Sequence, residues 1–218
     1  MRLAATKTLY LITDRRLLGE GAGAIDRVVA LAGDASDAGV DLIQIRERDL
    51  SSRDLVELAR RVRDRVAAHP TKVLVNDRFD VALAAGAHGV HLATHSIEAP
   101  RVRAVVGDRL LVGASTHSLD ELQAAERGGA DFAVCGPVFE TPSKHAFGKP
   151  IGPSRVAELA SHVQLPVLAL GGITRANAAD AARPSVAGIA AIGMFHSAWL
   201  TRGAEGLRAL VADLRRSI

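Results

Sequence analysis

Along this chain, short apolar runs alternate with longer stretches of helical period. The runs are 8–13 (TLYLIT), 42–46 (LIQIR), 72–76 (KVLVN), 89–92 (GVHL), 110–114 (LLVGA), 131–135 (DFAVC), 166–170 (PVLAL) and 187–192 (AGIAAI). Each is brief, aliphatic and mostly continuous rather than alternating, as in strands covered on both faces. Helices are predicted over 22–38, 52–68, 78–86, 97–106, 118–128, 153–162, 175–183 and 204–216. In the second of these, Leu55, Leu58, Ala59, Val62 and Val66 recur at helical spacing, with charged residues opposite. Ser51 or Ser52 suits its N-cap, with Asp54 in the first turn, and Ser118 suits the cap of 118–128, with Asp120 and Glu121 behind it. Eight strands alternating with eight helices predict a parallel sheet closed into a (β/α)8 TIM barrel, an α/β fold with residues 1–218 as one domain. The alternative, an open doubly wound sheet, would carry a G-x-G-x-x-G after the first strand, and none is there.

Composition narrows the function. Apolar residues make up 48% of the 218 but aromatics only 3%, so the core is expected to be aliphatic. Scarce aromatics argue against modules that stack on nucleic-acid bases. A net charge of +3 suits an anionic small molecule better than a long polyanion. The single Cys135 excludes an intrachain disulfide framework and a Cys-rich zinc site. No secretory leader and no run near 18 apolar residues is visible, which predicts a cytoplasmic protein without a membrane partner.

Barrel chemistry sits at the C-terminal ends of the strands. There the chain places Thr13-Asp14-Arg15, then Gln44, Arg46, Glu47, Arg48 and Asp49, then Asn76-Asp77-Arg78, His91, Ser115 and His117, Gly171-Gly172, and Ile192-Gly193. Gln44 and Arg46 alternate with aliphatic neighbours and so can face the barrel. Arg46 reads as a phosphate-binding cation, or as half of an ion pair with Glu47 or Asp77. Asp77 reads as an Mg2+ ligand or as the N-cap of the next helix. His91 alone is more simply a packed histidine, whereas His117 reads equally as a site residue or as helix-start packing. Gly171-Gly172 and Ile192-Gly193 follow strands seven and eight, where barrels commonly bind phosphate, although each glycine also suits a tight turn. The connection GPVFETPSKHAFGKPIG (136–152) holds two of the four lysines, Lys144 and Lys149, and its length marks a working or disordered loop. These residues together imply a phosphorylated or diphosphorylated substrate and a metal.

In order, YLITDR, QIRERD, VNDR, GVHL, GASTHS, ADFAVCGPVFETPSK, PVLALGGIT and the final AIG resemble the thiamine-phosphate synthase/TenI family, over about residues 10 to 195. The resemblance implies transfer of an aminopyrimidine from its diphosphate to a thiazole phosphate by a dissociative route. It places Gln44, Arg46, Arg48 and Asn76 around the pyrimidine diphosphate, and Mg2+ on Asp77. Ser115 would contact the pyrimidine, with His117 nearby. Thr141, Ser143 and Lys144 would reach both substrates from the loop, and Gly171, Gly172, Ile192 and Gly193 would cradle the thiazole phosphate. Arg46, Ser115 and Lys144 are the catalytic candidates. The family also implies a possible homodimer.

Four departures stand out. The synthase pattern QxRxK ends here in Arg48. ATHS (93–96) replaces GQxD, so Ser96 stands where a second metal-binding acid belongs and Glu98 is the nearest substitute. Gly193 replaces a serine. The TenI branch, which isomerises the thiazole phosphate, is the alternative: RER and VFET match it, but its histidine before VFET is Pro137 here. Asn76-Asp77 and TPSK favour the synthase, whose substrate has a diphosphate for them to serve. A non-catalytic binder of thiazole or thiamine phosphates is the third reading.

Overall fold

All eight apolar runs become strands in the computed structural model, which describes residues 6–19, 21, 23–141 and 149–218. They are β1 (Thr8–Ile12), β2 (Leu42–Ile45), β3 (Lys72–Asn76), β4 (Gly89–Leu92), β5 (Leu111–Thr116), β6 (Phe132–Cys135), β7 (Val167–Leu170) and β8 (Gly188–Ala191). All neighbours pair in parallel, and β8 closes onto β1. Successive side chains of a strand point to opposite faces. In β1, Leu9 and Leu11 therefore pack under the helices while Tyr10 and Ile12 face the barrel interior. The same parity sends Leu42, Leu74, Phe132 and Leu168 inward.

The expected aliphatic core holds mostly for the layer between sheet and helices. The barrel centre differs. There Tyr10, His91 and Phe132 meet with ring centroids 5.7–5.9 Å apart. Gly113 makes room for them, because a Cβ at that position would overlap the Phe132 ring.

The helices are α1 (Ala24–Asp37), α2 (Ser52–Arg65), α3 (Phe79–Ala85), α4 (Ala99–Val106), α5 (Leu119–Arg127), α6 (Pro153–Ser161), α7 (Ala178–Ala181) and α8 (Gly193–Ser217). Ser51 caps α2 through the Asp54 N–H at 3.2 Å, and Ser118 caps α5 through the Glu121 N–H at 3.2 Å. Each such cap contributes about 1 kcal/mol. Two helices differ from expectation. α7 is a single turn rather than 175–183. α8 begins directly after β8, not at residue 204, and its axis breaks at Arg202–Gly203, where Gly203 takes φ +55°.

Candidate functional site

Parity carries the chemistry as well as the core. Gln44, Arg46, Asn76, His91 and Ser115 all continue the inward-facing series of their strands, and they lie towards the C-terminal end. Burial falls from floor to rim: Gln44 and His91 are buried, Arg46, Asn76 and Ser115 half-buried, Arg48 and Asp77 exposed. At the floor, the Gln44 amide donates to the Tyr10 hydroxyl at 2.9 Å. His91 Nε2 and Ser115 Oγ are 3.0 Å apart, and His91 Nδ1 has no partner among the described residues. Full burial lowers the His91 pKa to about 3, so the ring is neutral. A bare acceptor is tolerated more readily than an orphaned N–H, which puts the proton on Nε2, donating to Ser115. The Ser115 hydroxyl proton is then free to point at the mouth.

At the rim, pairing divides the residues into two groups. Arg15 forks onto Asp49, Arg16 onto Asp14 and Arg78 onto Asp80. Arg46, Arg48, Asn76 and Asp77 make no side-chain hydrogen bond or ion pair with another described residue. Burial, then the charge of Arg48, lowers the Arg46 pKa against the opposing pull of Asp14 and Glu47, so the guanidinium stands desolvated without a bonded partner. The two ion pairs considered for Arg46 do not form. Glu47 instead accepts the Thr13 hydroxyl at 2.6 Å and the Arg15 N–H at 3.1 Å to each oxygen.

Asp77 is not a helix cap either. Arg78 holds the N-cap of α3, without a side-chain bond, and Asp77 itself takes a left-handed φ of +65°. Ser96 Oγ closes its own turn by accepting the Ala93 N–H at 2.8 Å, and Glu98 reaches towards Arg101 at 3.7 Å. No group of three or more His, Cys, Asp or Glu able to hold a metal occurs among the described residues. One free carboxylate with open space is a donor set that fits Mg2+ when substrate phosphates complete the shell.

Opposite this cationic side lies a backbone surface. Gly171 and Gly172 take φ +108° and +63°, so the turn after β7 needs glycine. Asn177 Nδ2 braces it by donating to the Gly172 carbonyl at 3.0 Å. Gly193 differs: its φ is ordinary, and a Cβ there would meet nothing within 4 Å. Space therefore stands open over the first turn of α8, where Ile192 is N-cap. The base of the 136–152 connection is pinned to the same turn, with Val138 N–H on the Leu170 carbonyl at 2.9 Å and Phe139 N–H on the Gly171 carbonyl at 3.0 Å. On its far side, the Ile151 N–H donates to the Pro137 carbonyl at 2.9 Å. Thr141 ends the described part of this stretch, and the candidates Ser143 and Lys144 lie outside the described residues. His117 precedes α5, and its backbone N–H donates to the Glu121 carboxylate at 2.6 Å, which is a helix-start role.

Sequence reasoning misses Asn177 and His196, and it places Thr13 and Glu47 at the strand ends without seeing that they bind each other. Glu47 was visible in QIRERD but read only as a partner for Arg46. His196 fell outside any predicted helix.

Comparison with known proteins agrees with the fold. The family model described as thiamine monophosphate synthase matches residues 9–195. A putative thiamine-phosphate synthase of Geobacter sulfurreducens is 43% identical over 185 residues, covering 85% of this chain and 84% of that protein. A thiamine-phosphate synthase of Chloroflexus aurantiacus is 38% identical over 205 residues, covering 94% and 92%. Among solved structures, a thiamine phosphate pyrophosphorylase from Pyrococcus furiosus superposes with a TM-score of 0.77 at 31% identity, covering 95% of this chain and 96% of that one.

Proposed function

The chain belongs to the thiamine monophosphate synthase family, and from that membership we propose that it is a thiamine-phosphate synthase, joining an aminopyrimidine diphosphate to a thiazole phosphate. The C–O bond to diphosphate breaks heterolytically, diphosphate keeps the electron pair, and the thiazole nitrogen lone pair closes the new C–N bond on the pyrimidine methylene. Such a reaction asks for stabilisation of a leaving anion more than for a strong base.

One observation carries the reading: Arg46 is half-buried, lies near Arg48, and makes no ion pair or side-chain hydrogen bond with a described residue, Asp14 and Glu47 acting on it only at longer range. A desolvated guanidinium of this kind is costly unless a ligand pairs with it. A diphosphate supplies that charge, with Arg46 and Arg48 as forks and Asn76 as an amide donor. Asp77 would hold Mg2+, which when bound neutralises diphosphate charge. The Ser115 hydroxyl, oriented by His91, would donate to the pyrimidine, and Gln44 would bind its far edge. Gly171, Gly172, Ile192 and Gly193 would take the thiazole phosphate through backbone N–H groups. Thr141, Ser143 and Lys144 would close over both from the loop, with Lys144 on the diphosphate.

Mixing both substrates with Mg2+ should release diphosphate and form thiamine phosphate in equal amounts. Intact phosphate binding with no product would overturn the proposal. Isomerisation of the thiazole phosphate without metal would replace it with the tautomerase reading.

A further inference from the structure

His196 is 1% exposed and bridges two parts of the mouth. Its Nε2 accepts the Asp14 N–H at 3.2 Å, and its Nδ1 lies 2.8 Å from the Ile192 carbonyl. An N–H can only donate and a carbonyl only accept, so the ring carries its proton on Nδ1 and is neutral. The Ile192 carbonyl also takes the helical N–H of His196 at 3.3 Å.

The other end of the bridge is firmly held. Asp14 lies between Thr13 and Arg15, both bonded to buried Glu47, and Thr13 Oγ1 accepts the Arg46 N–H at 3.1 Å. A run of hydrogen bonds and two short backbone steps thus links the α8 N-terminus to the end of β2. It matters because α8 breaks at Arg202–Gly203. Helical continuity with the later turns therefore does not orient Gly193–Thr201, and the ring of His196 supplies a local tie.

We propose that His196 is a positioning residue that locks the first turn of α8 to the end of β1 and so sets the thiazole-phosphate pocket. This rests on the synthase reading for the identity of the ligand. A purely space-filling histidine would be replaceable by another ring of similar bulk. A positioning one would not, because the Ile192 and Gly193 N–H groups would lose their alignment while the diphosphate side kept its own.

Three variants separate these roles. His196→Phe keeps bulk without either bond, while the amides of His196→Asn and His196→Gln each carry a donor and an acceptor, the shorter Asn reaching only the nearer Ile192 carbonyl and the longer Gln reaching out to the Asp14 N–H. In steady-state kinetics, His196→Phe, which loses both bonds, should raise the KM for the thiazole phosphate about fivefold. The KM for the pyrimidine diphosphate should stay within about twofold. His196→Asn should fall between, and His196→Gln should recover most of the loss. Equal rises in both KM values, no rise at all, or a Gln variant as poor as Phe would overturn the proposal. Should His196→Phe fail to fold, the Asn and Gln variants read the same gradient. Calorimetric titration with thiazole phosphate reports the fivefold weakening without turnover. A wild-type protein that binds thiazole phosphate but makes no product would thus sink the synthase reading and leave His196 still testable.

Discussion

Arg46 stands half out of water with a second arginine nearby and no ion pair to a described acid, Asp14 and Glu47 acting on it only at longer range. Function and stability should therefore pull apart at this position. Arg46→Met keeps length and loses charge, and it should raise the unfolding free energy by about 0.5–1 kcal/mol while lowering kcat/KM at least about a hundredfold. Calorimetric unfolding and steady-state rates on one preparation check this, and a destabilised variant would show that Arg46 has a structural partner. Asp77 allows a similar separation. Its φ of +65° suits Asn nearly as well as Asp. Asp77→Asn should leave the melting temperature unchanged and raise the Mg2+ needed for half-maximal rate about tenfold or more. Asp77→Ala should in addition lose about 1 kcal/mol, because Ala lacks the side chain that tolerates this backbone. That pair of melting curves distinguishes a ligand from a backbone requirement.

Much of this was legible before any coordinates. Gln44 and Arg46 interrupt an aliphatic run at alternate positions, and alternate positions of a strand share a face. Which charges are already spent was not legible. Arg15, Arg16 and Arg78 resemble Arg46 in the sequence, yet each is paired, and only three-dimensional proximity sorts them. The same holds for Glu47, which binds Thr13 and Arg15 rather than its neighbour Arg46.

The turn after β7 carries more constraint than its two glycines suggest alone. A Cβ on Gly172 would meet the Phe139 main chain and the Glu140 carbonyl, in a left-handed conformation. Gly172→Ala should cost about 1–2 kcal/mol and weaken thiazole-phosphate binding in the same variant, since strain and pocket share one turn. Gly193→Ala, facing open space with ordinary φ, should leave stability near wild type and weaken only binding. Unfolding curves and thiazole-phosphate titrations of the two variants side by side check both. The strands were legible as elements because a doubly covered strand needs an unbroken apolar run. The first half of α8 was not. Its start abuts β8 with no polar spacer, and Gly203 at +55° interrupts the period that would have extended 204–216 backwards.

The barrel as a unit should be acid-sensitive well above the carboxylate range. Burial lowers the pKa values of His91, to about 3, and of His88 and His196. In the unfolded chain each would take up a proton near pH 6.5, so below that pH the unfolded state binds protons that the native state refuses. Stability is then fully present well above pH 6.5 and declines as the pH falls. His91 alone contributes about 1.4 kcal/mol per pH unit down towards its native pKa. Denaturant unfolding at pH 7.5, 6.5 and 5.5 should show a small loss across the first interval and one about threefold larger across the second. His91→Gln should flatten that loss by about one proton's worth.

Val138 and Phe139 hydrogen-bond to β7 and its glycine turn, and Pro137 and Val138 receive Ile151 and Gly152, so every one of these anchoring bonds lies outside residues 142–148. The barrel therefore fixes both ends of this connection, Val138 and Phe139 on β7 and its turn, and Ile151 and Gly152 on Pro137 and Val138. Because these anchors share the turn after β7, a substitution that breaks one of them would disturb that turn as well as the entry of the connection.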